Sequence, residues 1–118
     1  MYTLREFTKT PAEIAVTLKK VSEIGYQAVQ ASGMGPIEPG ELRRIADGEG
    51  LTICATHVDF ERFRDETDAV IEEHRVLGCE HPAVGSMPVE YRQSAEEYRR
   101  FAREAEEIGR KLAEAGMT

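Results

Sequence analysis

Short apolar runs and amphipathic stretches follow one another four times along the chain. Each unit reads as an apolar run, a polar loop, an amphipathic helix and then a glycine: Gly25, Gly50, Gly78 and Gly116. A helix that stops on a left-handed glycine and leads straight into a strand fits every repeat. The strands expected are Tyr2–Arg5, Tyr26–Ser32, Leu51–Thr56 and roughly His81–Gly85. The helix starts are legible too. Thr10-Pro11-Ala12-Glu13 offers a capping threonine, a proline at the first helical position and a glutamate that reaches back, and Ser94-Ala95-Glu96-Glu97 is a second capping box. Glu38-Pro39-Gly40-Glu41 is a weaker copy, and Asp65-Glu66 place acids in the first turn of a helix ending at Gly78.

The apolar stripes agree with this division. The first helix presents Ile14, Leu18 and Val21. The third presents Phe63, Val70 and Leu77, with Thr67 and His74 on the same stripe. The fourth presents Tyr98, Phe101, Ala105, Ile108, Leu112 and Ala115, as a helix packed on a sheet does. His74, on an apolar stripe far from any strand end, reads as a packed, hydrogen-bonded core histidine. Strand, helix, strand, helix with short links predicts βαβ units and a parallel sheet. The fold class expected is therefore α/β, built of parallel (βα)4 units, with residues 1–118 as a single domain.

Composition narrows the partners. The 118 residues suffice for one domain with a core, and 41% hydrophobic with 31% charged residues is an ordinary globular balance. The net charge of −7 makes nucleic acid a poor partner, and the arginines of Glu96–Glu114 alternate with glutamates as on a solvated face. No apolar run approaches membrane-spanning length and no signal peptide opens the chain, so no membrane partner and a cytoplasmic compartment are expected. If Leu51 and Cys79 are level on neighbouring strands, Cys54 lies roughly 10 Å further along, too far for a disulfide. Both cysteines read as reduced, buried, small apolar residues.

The stretch with most chemical promise is Leu51–Phe60, LTICATHVDF. Its front half is apolar as in a strand buried on both faces. Its back half turns polar where such a strand would leave the sheet. That end of a parallel strand is where ligands bind in α/β folds, which makes His57 the leading candidate; a histidine capping the next loop is the alternative. The loop Ser32–Gly40, SGMGPIEPG, follows a strand on the same side but matches no phosphate or dinucleotide fingerprint, and reads as a turn-rich connector.

Tyr-Thr-Leu-Arg at the start, then EIGYQAVQ, then GLTICATH, then LGCEHPAVGSMP together resemble the sugar phosphate isomerase/epimerase family with the xylose isomerase-like TIM barrel. The resemblance runs along the whole chain in order. It implies half of a (βα)8 barrel, proton transfer next to a sugar carbonyl, and a divalent metal (Mn, Mg or Zn) in the full-length family. Such barrels usually need about 250 residues, so the chain reads as the amino-terminal half. The family's metal ligands come from the second half, and no position here matches them. No catalytic residue is therefore assigned, and no metal is expected on this chain alone.

What carries over is one wall of a substrate pocket. His57 matches a histidine at the end of strand three. Arg5 ends strand one and would meet an anionic or polar group, its alternative being a salt bridge to Glu6. Gln30 ends strand two, and Ser86 ends strand four, the alternative there being a plain loop hydroxyl. Two function classes follow. One is the first half of a metal-dependent sugar or sugar phosphate isomerase/epimerase, inactive alone and completed by a carboxyl-terminal half. The other is a binding or assembly module: a half-barrel that self-associates into a closed barrel, or an open sheet that binds a small ligand at its carboxyl edge.

Overall fold

A computed structural model describes residues Met1–Thr118. The molecule is mixed α/β, with a three-stranded parallel sheet in the order β1-β2-β3: β1 is Ala28–Ala31, β2 Thr52–Val58 and β3 Pro82–Val84. Five α-helices connect and flank the strands: α1 Pro11–Ile24, α2 Pro39–Gly48, α3 Phe60–Asp65, α4 Thr67–Leu77 and α5 Ala95–Glu114.

The helix boundaries follow the local chemistry. Thr10 accepts from the Glu13 amide and the Glu13 carboxylate returns bonds to the Lys9 and Thr10 amides, a complete capping box with Pro11 at the first position. Ser94 also accepts from the Glu97 amide, but the reciprocal bond is not made, because the Glu97 carboxylate pairs with Arg100 one turn on. Gly25, Gly50, Gly78 and Gly116 all take positive φ, as the repeat predicts.

Three expectations need correction. The first strand does not form: Tyr2–Phe7 is a 3-10 helix, so the (βα)4 count becomes three strands. The segment makes local backbone bonds in place of a ladder to β1, and Leu4 N–H bonds Met1 O at 2.8 Å. The helix expected between Phe63 and Gly78 is two helices, broken at Glu66, whose φ of −133° is not helical. Cys54 is exposed, whereas Cys79 is buried as expected, and both are free thiols.

All the helices that pack on the sheet cover one face. Ile14, Leu18, Val21, Val29, Leu42, Ala46, Leu51, Ile53, Leu77 and Cys79 form one core cluster. A second gathers Val58, Phe60, Phe63, Val70, Ile71, Tyr91, Ile108, Leu112 and Met117. His74 lies between strand and helix, 2% exposed, with Nε2 2.6 Å from Thr56 Oγ1 and Nδ1 2.7 Å from the Val70 carbonyl. A carbonyl only accepts, so Nδ1 carries the proton and Nε2 accepts from the Thr56 hydroxyl. Burial pushes the His74 pKa down, consistent with this neutral ring.

The other face of the sheet is bare. It carries Ala28 and Thr52, then Gln30 and Ala55, then His57 and Ala83, in adjacent register pairs. A β-bulge decides which residues these are. Val29 pairs with Ile53 but Gln30 with Ala55, so Cys54 is an extra residue in β2. Without that slip, period-two alternation from the buried Ile53 would turn His57 towards the helices; with it, Thr56 and Val58 face the core and His57 faces outward.

The molecule is open for its mass. Its radius of gyration is 15.5 Å, against about 13.5 Å expected for a closed domain of this length. Its accessible surface is 7261 Å², against about 6,400 Å² for a compact monomer of this mass.

Candidate functional site

The carboxyl ends of the three strands open into a cleft of about 740 Å³. β1 ends there with Ser32 and Gly33, β2 with His57, Val58 and Asp59, and β3 with Gly85 and Ser86. Tyr2 borders it from the 3-10 helix, and Glu61 and Arg62 border it from α3. A smaller cavity of about 290 Å³ adjoins it beneath the Ser32–Glu38 loop and shares Ser32, Gly33, His57, Val58 and Arg62.

His57 stands on the bare sheet face with its ring over Gly85. A Cβ at Gly85 would lie 3.2 Å from His57 Nδ1. Gln30 Nε2 lies 2.9 Å from His57 Nε2. The amide N–H donates, so the ring accepts at Nε2 and carries its proton on Nδ1. His57 thus offers a hydrogen-bond donor; its remaining lone pair is already engaged. Gln30 acts on the cleft through this bond and does not line it.

Ser86 lies on the cleft wall, exposed. The short 3-10 helix beyond it, Val89–Arg92, is pinned by Tyr91, which is fully buried. Its hydroxyl donates to Glu104 Oε2 at 2.6 Å and accepts from Arg64 at 3.1 Å, while the Arg100 guanidinium stacks over its ring. Arg5 is not brought to the cleft. Its guanidinium sits 4.5 Å from the Tyr2 ring centroid, donates to the Tyr2 carbonyl and pairs with Glu6 at 4.0 Å. The strand that would have aimed it at the pocket does not form.

Ser32 is the feature that sequence reasoning passed over. It is 4% exposed, and its hydroxyl has no hydrogen-bond partner. A buried hydroxyl left unpaired costs about 1–3 kcal/mol, and this one belongs to a residue that borders the cleft. The only signal in the sequence was its place, directly after a strand and before Gly33 at φ +64°. The loop that holds it is tied down by the Gly35 amide, which donates to the Thr8 carbonyl at 2.7 Å. Asp59 and Glu61 also went unassigned.

Arg62 is the one cation on the lining, and it is occupied. Two of its nitrogens bind the Glu73 carboxylate and its Nε reaches Glu66 at 3.4 Å, so the pair raises its pKa further. No three His, Cys, Asp or Glu side chains converge in a way that could hold a metal ion. The donor set therefore does not fit a metal, and no step is derived through one. No helix is long and apolar enough to cross a membrane. No protein-family model matches the chain, and no curated protein matches it.

Proposed function

We propose that this chain forms the amino-terminal half of a sugar or sugar phosphate isomerase/epimerase barrel and supplies one wall of its substrate pocket. The observation that carries the reading is the cleft itself: three parallel strands deliver His57, Ser86 and the unpaired Ser32 hydroxyl to one edge of the sheet. These are hydroxyl and imidazole groups at mixed depths, suited to a ligand with several hydroxyls. The bare sheet face, helices on one side only, supports a barrel interior awaiting its other half. The chain also re-enters beside β3, where Thr118 N–H donates to Glu80 O at 2.8 Å. The divalent metal that the resemblance implies would need ligands from outside these residues.

The wall binds and orients; it does not catalyse. His57 donates from Nδ1, and Ser32 donates or accepts from a dry position. The expected outcome is no aldose–ketose or epimerase turnover by the purified chain with Mn²⁺ or Mg²⁺ added. Titration with D-xylose or D-fructose, followed by amide NMR, should shift Gly33, His57, Gly85 and Ser86. Shifts scattered over the surface, or none, would reject the reading.

A second reading has its own observation. The surface excess over a compact monomer is roughly 850 Å², close to the area of about 800 Å² that one partner gives to a standard interface. Phe7, Val16 and Ile24 are 65%, 56% and 74% exposed along one edge, beside a groove lined also by Leu4 and Val21. On this reading a second copy closes the barrel, each chain's open sheet face meeting the other's. Light scattering decides it: a monomer at high concentration excludes the second copy.

A further inference from the structure

We infer that the cleft selects an uncharged polyol over its phosphate ester, with Ser32 as the buried contact and Asp59 as the acceptor for a pair of hydroxyls. The inference rests on the cleft being a sugar site and adds the charge class of what enters it. The lining holds two carboxylates, Asp59 and Glu61, against the single guanidinium of Arg62. That guanidinium is answered by Glu73 and Glu66 before any ligand arrives. Of the other cations close by, Arg5 is turned onto Tyr2 and Glu6, and the Met1 ammonium donates to the Gln30 carbonyl at 2.9 Å. An anion entering the cleft therefore meets no free cation and two like charges, within a chain of net charge −7.

Asp59 is placed to bind hydroxyls. It occupies the cap position of α3, yet its side chain makes no capping bond and no salt bridge, and it is exposed at the cleft. A free carboxylate accepts two O–H bonds side by side, the spacing of a vicinal diol. Ser32 adds a neutral donor and acceptor that is nine-tenths buried and unpartnered. His57 adds a neutral donor. Ser32 and His57 can donate to either ligand, so the discrimination falls to the carboxylates, which repel a phosphate and accept from a hydroxyl.

The test titrates the full chain with D-fructose and with D-fructose 6-phosphate at low salt, reading the amides of Gly33, His57, Gly85 and Ser86. The free sugar is expected to bind and its ester to bind at least about tenfold more weakly, with the gap narrowing as salt screens the carboxylates. Asp59→Asn with Glu61→Gln should narrow it too, by weakening the sugar and admitting the ester. Ser32→Ala should weaken the sugar without changing the ratio. An ester that binds as well as the sugar, or cleft shifts with inorganic phosphate alone, overturns the charge selection and leaves the sugar site standing. No cleft shift with either probe overturns both.

Discussion

The Thr56–His74 pair makes the sharpest claim about stability. Thr56 is 5% exposed and His74 2%, and their bond is 2.6 Å long. Thr56→Val keeps the volume and removes the hydroxyl, stranding a buried imidazole lone pair. The expected loss is about 1–3 kcal/mol, or about 4 °C in Tm for each kcal/mol in a chain of this size. Thr56→Val combined with His74→Leu removes both polar partners and should lose less than the sum of the two single changes. The pair also sets a pH dependence. Burial lowers the folded pKa of His74, so the unfolded chain, titrating near 6.5, binds the proton first. The stabilisation is complete above about pH 6.5, falls by at most about 1.4 kcal/mol per pH unit below it, and is lost once the pH passes the folded value. Urea denaturation from pH 7.5 to 5.5 measures this directly. A wild-type stability that stays flat over that range, or a slope that survives in His74→Leu, would refute the neutral buried ring.

Other consequences are as readily checked. Gly35→Ala would put a Cβ 1.9 Å from the Lys9 carbonyl oxygen, so the loop and the start of α1 must separate; a loss at the upper end of about 1–3 kcal/mol is expected in thermal melts. Gly85→Ala brings a methyl to 3.2 Å from His57 Nδ1. It should leave stability within about 0.5 kcal/mol while displacing the ring and weakening the sugar-induced shifts at His57. Glu73→Gln loosens the tie from α3 to α4 through Arg62; because both partners are partly exposed, a loss of about 0.5–1 kcal/mol is expected, smaller in high salt.

Much of the fold was legible because it is written in local chemistry. Thr10-Pro11 and the glycines at 25, 50, 78 and 116 mark where helices begin and end, and those groups are satisfied within a few residues of themselves. The Ile14–Leu18–Val21 and Val70–His74–Leu77 stripes are buried as the spacing requires. What failed to show were features decided between distant segments. Tyr2–Arg5 has the composition of a strand, but a strand needs a ladder to β1, and the segment closes local 3-10 bonds instead. Ser32 looks like an ordinary loop serine; its lack of a partner is a property of everything around it. Arg5 was misplaced for the same reason as its strand. His57 was found at the right end of β2, but the turn of its side chain depends on a bulge that no count of alternating residues reveals.

That bulge has a practical side. Its extra residue, Cys54, leaves a thiol on the bare side of the sheet, while the second thiol in the molecule, Cys79, is shut away and its ionisation suppressed by burial. Alkylation with a maleimide should therefore label one position, and its rate reports whether anything lies across the strands. A rate near that of a small peptide means solvent still washes that surface; protection that appears with concentration, or in a longer polypeptide, means the cylinder has shut.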